Sequence, residues 1–231
     1  LTAIALLVGC AATTTMIEHR NLEVGTKLSQ TVFLDPVAPS QKSVFIAVKN
    51  TSQETINIDS SLARAFKEKG YKVVNNPSQA HYLLQANVLT VAKMSQSASQ
   101  AALGGGYGSI LTGAGAGVAL GALSNHSNSM LAGGIAGGLV GLAADSLVKD
   151  VNYAMITDVQ ISEHIGKGAV KEQFSAALKN GSASGTTQTL NKSSDYQRYR
   201  TRIASNANQV NLSFAKARPL LEEGLIKTLS G

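Results

Sequence analysis

The residue with the clearest chemistry is Cys10, the single cysteine of this 231-residue chain. It ends an apolar run, Leu1 to Gly9, that has the length of a secretory h-region and closes in small residues. Leu7-Val8-Gly9-Cys10 has the form of a bacterial lipobox, in which the cysteine becomes the lipidated first residue of the mature protein. The covalent lipid expected on Cys10 is a diacylglycerol with an N-acyl chain. A positively charged n-region is missing, so residues 1–9 are read as the remainder of a signal peptide. Ala11 follows the cysteine where Asp would mark inner-membrane retention, which suits the outer membrane. One acyl chain binds a membrane marginally, whereas several hold it firmly. A lone cysteine also leaves no intramolecular disulfide and no Cys-x-x-Cys metal site.

Other side chains offer little chemistry. His19, His81, His126 and His164 lack an i, i+4 ligand spacing, and no metal site is expected. Glu222/Glu223 and Asp145/Asp150 fit a solvated helix face and a helix boundary. The glycines invite a phosphate-loop reading, but neither Gly-x-x-x-x-Gly-Lys-Ser/Thr nor Gly-x-Gly-x-x-Gly after a strand occurs. No Gly-x-Ser-x-Gly elbow is present. No catalytic residue is therefore assigned, and the chain is read as a non-enzyme with no cofactor besides the lipid. Arg198, Arg200 and Arg202 alternate along one strand face. They fit either cross-strand pairing with acids or contact with an anionic surface such as lipopolysaccharide phosphate.

The elements that carry these residues are legible in outline. Ser43–Lys49 reads as a strand, Asp59–Lys69 as a helix closed by Gly70, Tyr71–Val74 and Tyr82–Val91 as strands. Val151–Ile161 alternates as a sheet with one wet face does, and Tyr196–Ala204 is a further strand. Val32–Leu34 suggests a short strand, residues 181–187 a loose region, and a terminal helix is expected from Ala215 or Pro219. The fold expected is α+β, a compact sheet-and-helix domain over residues 42–231, preceded by a lipidated tether over residues 10–41.

Between Tyr82–Val91 and Val151–Ile161 lies an insertion, residues 98–148. Residues 94–144 contain no Asp, Glu, Lys or Arg and hold 13 of the 22 glycines. Gly113, Gly117 and Gly121 fall four apart, as do Gly133, Gly137 and Gly141. On a helix that spacing puts each trio on one face, where another helix can approach backbone to backbone. A floppy linker needs no such register, and soluble helices would lose about 1 kcal/mol per interior glycine relative to Ala. The expectation is a glycine-rich helical hairpin, Ala101–Leu123 and Met130–Ala144, buried in bilayer or between copies of the chain. Its Gly, Ala and Ser contribute little insertion free energy, which eases export.

Composition sets the remaining bounds. Apolar residues make up 44% of the chain, which argues against disorder, while aromatics are 5% and Trp is absent. The net charge of +6 suits anionic lipid, and with no basic run interleaved with aromatics no nucleic-acid partner is expected.

Arg20–Val24, Val48–Ser52, Lys69–Val74, Leu84–Leu89, Ala143–Asp145, Asp150–Tyr153, Met155–Ile161 and Ser205–Asn208, together with the lipobox and the glycine hairpin, resemble in the same order segments of the TraT lipoproteins. The match weakens at Ser95–Tyr107 and Lys167–Ser194. The resemblance implies a surface-exposed outer-membrane lipoprotein, encoded by plasmids in conjugative transfer regions, that forms homo-oligomers. It also implies surface exclusion, meaning reduced mating with cells carrying related plasmids, and resistance to complement. Mating-pair components of donor cells are the implied partners. The alternative is a subunit of an oligomeric outer-membrane ring or export pore.

Overall fold

The structure, a computed structural model, describes residues 21–109, 111, 150–166, 172–179, 185–192 and 195–231. Its frame is a six-stranded mixed sheet with helices on both faces. The strands are β1 (Glu23–Leu28), β2 (Ser43–Asn50), β3 (Lys72–Val74), β4 (Tyr82–Lys93), β5 (Asp150–His164) and β8 (Tyr196–Val210). Their spatial order is β1-β8-β5-β4-β2-β3. β2 runs parallel to β3 and β4, and the remaining neighbours are antiparallel. Two further strands, β6 (Glu172–Lys179) and β7 (Gly185–Lys192), pair with each other as a separate antiparallel ribbon. The helices are α1 (Asp59–Glu68), α2 (Gln96–Gly104) and α3 (Phe214–Ser230). The fold is α+β, as expected.

One face of the sheet carries the main core. α1 presents Leu62 and Phe66, four residues apart and so on one stripe, and ends at Gly70, whose φ of +83° suits a residue without Cβ. α3 presents Leu221 and Leu225 in the same way, both fully buried. Both helices pack on Val44, Leu84, Val88, Met155, Val159 and Ile203 of the sheet. α3 also sits unusually close to the strands at Gly224. A Cβ there would meet the Thr26 hydroxyl oxygen at 2.6 Å. Glycine inside a helix costs about 1 kcal/mol relative to Ala, so close approach is what justifies it here. Gly224→Leu is expected to lower stability by about 1–3 kcal/mol despite its better helix propensity; urea unfolding measures this.

The other face is covered by α2, whose small Ala98 and Ala102 lie against Ala154, Ile156 and Ala204. This corrects the wet-face reading of Val151–Ile161. Asn152 and Asp158, expected toward solvent, are buried beneath α2 and the turn that follows it. The alternation is real, but both faces have a layer on them.

Three boundaries also move. β1 lies within the stretch assigned to the tether, and it pairs with β8 from Glu23↔Asn208 to Leu28↔Ile203, so the sheet begins at Glu23 rather than at 42. Val32–Leu34 is irregular rather than a strand. Residues 98–104, assigned to the insertion, form most of α2 and belong to the domain. That helix stops at Gly104, so no single helical arm starts at Ala101 and continues to Leu123. Among the described residues no helix is long and apolar enough to cross a membrane.

Candidate functional site at the base of the glycine insertion

β4 and β5 are hydrogen-bonded neighbours, with Lys93 opposite Tyr153, and the chain between them makes up α2 and the insertion. How α2 is held therefore decides where the insertion starts. The holding group is Arg202 on β8. Antiparallel register places it directly across from Asp158 on β5, on the α2 face. Its Nε donates to Asp158 Oδ1 at 2.6 Å and its Nη2 to Oδ2 at 3.0 Å, a bidentate pair. The remaining donors reach upward: Nη1 to the Ala102 carbonyl at 3.2 Å and to Ser109 Oγ at 2.7 Å, Nη2 to the Ser109 carbonyl at 2.9 Å. All five guanidinium N–H groups are thereby used. Asp158 Oδ2 in turn accepts the Gly108 N–H at 2.9 Å.

The turn from Gly105 to Ser109 is shaped for this contact. Gly108 has φ +74°, which aims its N–H at the carboxylate. At Gly105 a Cβ would strike Ser109 Oγ, the atom that accepts from Arg202. The arrangement is a charged rivet joining β5, β8, the end of α2 and the first residues of the insertion. Its capacity is mechanical: it fixes the exit of the glycine segment on a rigid sheet.

The arginine stripe thus divides. Arg202 is fully buried and cannot touch an anionic surface, which corrects that assignment and supports cross-strand pairing instead. Arg200 donates from Nε to Gln160 Oε1 at 2.8 Å, and its guanidinium lies 5.7 Å from the centre of the Tyr107 ring. It too holds the turn after α2. Arg198 is half-buried opposite Ser162. Cys10 and the six glycines Gly113, Gly117, Gly121, Gly133, Gly137 and Gly141 lie outside the described residues. Asp158, Ser109, Gly105 and Gly108 were missed by sequence reasoning. A signal existed in three arginines along one strand, set against Asp158, Gln160 and Ser162 on a neighbour of opposite direction.

A second polar group sits where β4 begins and β5 ends. Glu163, buried, accepts from Tyr199 at 3.2 Å and from Tyr82 at 3.5 Å, with His81 Nε2 3.7 Å away. Burial first, then the Glu163 charge, pushes the Tyr82 hydroxyl up to about 12. The same causes raise Tyr199. Stability from a raised group is complete below the unfolded value near 10 and is lost as pH climbs through the folded value. Urea midpoints are thus expected to fall steeply between about pH 10 and about pH 12. Tyr82→Phe should flatten that fall, since no buried hydroxyl remains at that position to be kept protonated.

Among the described residues no three His, Cys, Asp or Glu side chains converge to hold a metal ion. What the geometry defines is a rigid α+β platform bearing a long small-residue insertion.

Comparison with known proteins places that platform. The family model described as Enterobacterial TraT complement resistance protein matches residues 21–231. A TraT complement resistance protein of Escherichia coli is 44% identical over 226 residues, covering 97% of this chain and 92% of the relative. Another from Escherichia coli is 45% identical over 230 residues, with 97% and 92% coverage. One from Wigglesworthia glossinidia brevipalpis is 29% identical over 227 residues, with 97% and 90% coverage. The chain belongs to the TraT complement resistance family, whose name denotes protection and not a catalysed reaction.

Proposed function

We propose that this chain is an outer-membrane lipoprotein, anchored by acyl chains on Cys10, that assembles with copies of itself and protects the cell from complement. The observation that carries the reading is the family match across residues 21–231. Surface exclusion is the second activity we assign, acting sterically or on a mating-pair component of an incoming donor. Two features support the physical side. Four of the six exposed large apolar side chains among the described residues, Leu22, Val24, Leu28 and Phe33, fall on or beside β1. That is the part of the described chain nearest to Cys10 in sequence. The rivet at Arg202, in turn, gives the insertion a fixed origin on the sheet, which ordered packing between copies requires.

The test is expression in a serum-sensitive recipient. Survival in human serum is expected to rise, mating frequency to drop, and a small periplasmic dye to stay inside. Cys10→Ser should abolish palmitate labelling and return survival to the vector level. Unchanged serum survival and unchanged mating with wild-type protein at the surface would sink the reading. Dye leakage with normal mating would point to a pore instead.

A further inference from the structure

A cavity of about 400 Å³ lies on the face of the sheet that carries α1 and α3. Its floor is Val44, Leu84, Val159, Ile161, Thr201 and Ile203, from the neighbouring strands β2, β4, β5 and β8. Three strand intervals make that floor roughly 14 Å across. Phe66 of α1 and Tyr71 close the β2 end, and the last turn of α3, Thr228 to Ser230, forms the roof. The open side is bordered by an irregular strap that leaves β1 at Leu28 and reaches β2 at Ser43, contributing Thr31, Val32 and Leu34 to the lining. Val44, Leu84, Val159 and Ile203 are buried, Val32 and Leu34 half-buried, and Leu28 exposed, so the cavity reaches the surface along the strap. Phe33, between two lining residues, is 84% exposed.

The lining makes little polar demand. Thr201 Oγ1 donates to the Gln30 carbonyl at 2.7 Å, Thr228 Oγ1 to the Gly224 carbonyl at 2.8 Å, and the Tyr82 hydroxyl to Glu163 at 3.5 Å. The other lining hydroxyls, on Thr31, Tyr71 and Ser230, belong to exposed or half-buried residues. A peptide entering here would strip water from its N–H and C=O groups without finding partners on the floor, which is unfavourable. A saturated chain has no such groups and gains by burial. The volume holds about 13 methylenes if each takes the ~30 Å³ of a water, most of one fatty acyl chain.

The β2 end is basic. Lys67, Lys69 and Lys72, all exposed, flank Phe66 and Tyr71 in sequence, and Lys42 Nζ lies 5.7 Å from the centre of the Tyr71 ring. The Lys72 N–H donates to the Lys42 carbonyl at 2.8 Å, which keeps the two segments side by side. Glu68 is the acid within that stretch, while Asp35 on the strap acts on Tyr199 of β8, toward the other end. We propose that the cavity binds one acyl chain of an anionic phospholipid. The phosphate sits among the lysines, and the chain runs across β4 and β5 toward β8 alongside the strap. The bilayer is the source, and the site does not depend on a lipid at Cys10.

The test uses lipidated full-length protein in nanodiscs of phosphatidylglycerol and phosphatidylcholine. A trace of phosphatidylglycerol carries a diazirine at the end of one acyl chain, and labelled peptides are mapped by mass spectrometry after irradiation. Label is expected on the peptide holding Thr201 and Ile203, buried residues that contact with a bilayer surface does not reach. Ile161→Trp and Thr228→Trp, which fill the cavity from floor and roof, should each remove that label while circular dichroism stays as in wild type. Phosphatidylcholine with the same diazirine should label this peptide less. Label confined to exposed peptides, label undiminished in both folded Trp variants, or equal label from the two lipids would overturn the proposal. So would wild-type protein without label beside labelled Cys10→Ser, since a Cys10 acyl chain would then be the occupant.

Discussion

Arg202→Ala lowers the unfolding free energy by about 3–5 kcal/mol, the largest loss expected from any single substitution outside the apolar core. The cost does not come from losing an attractive pair alone. Removing the guanidinium leaves the Asp158 carboxylate charged under α2, with the Gly108 N–H as its remaining donor among the described residues. Ser109 Oγ and two carbonyl oxygens, those of Ala102 and Ser109, also lose their donor. A buried pair against matched apolar residues roughly breaks even, so the double change Arg202→Met with Asp158→Leu should recover most of the loss. Urea unfolding of the two single variants and the double variant gives the coupling directly. A loss under about 1 kcal/mol in Arg202→Ala would mean that water reaches the pair and that it holds nothing in place.

Gly117→Leu and Gly137→Leu are each expected to dissociate the proposed homo-oligomer while leaving the α+β domain folded. The physical reason is steric. A Gly-x-x-x-Gly stripe lets two helix backbones come close, and a Leu in its middle holds them apart. The core of the described domain is closed on one sheet face by α1 and α3 and on the other by α2. Circular dichroism of each variant should therefore match wild type while the particle mass falls. The converse variant is Arg202→Ala, which acts on the platform and not on the stripe.

Much of this fold could be read from residues. β4 and β5 lie within a few residues of where alternation places them, because long strands with Val, Ile and Thr carry a strong period of two; β8 starts at Tyr196 as expected but runs on past Ala204 to Val210, through the polar Ser205–Gln209. α1 was legible from Leu62, Ala65 and Phe66 with Gly70 behind them. β1 was not. It is a six-residue edge strand of Glu, Val, Gly, Thr, Lys and Leu, exposed along most of its length, so it lacks an apolar stripe. The ribbon β6–β7 was hidden by Ser, Thr and Gly, which read equally well as loop. α2 was absorbed into the glycine segment because Ala98 and Ala102 are small; they suit tight packing on Ala154 and Ala204, yet carry no strong amphipathic signal. The same omission misplaced Arg202. Without α2 the second sheet face is wet, and three arginines there look available to anions. With α2 in place, the middle of that face becomes interior, and Asp158 becomes the partner that makes Arg202 tolerable.

The glycine spacing and Cys10 remain the features that bear most on function, and they converge on one claim. That claim, part of the function we propose, is that the protein works as an assembly of copies held at a membrane by lipid, with the sheet as the base for the glycine segment. The most direct measurement is the mass of the lipidated, detergent-solubilised protein by native mass spectrometry. The account predicts a single discrete species at an integral multiple of the protomer mass, lost in Gly117→Leu. A species at the mass of one copy of residues 10–231 plus its lipid would contradict it.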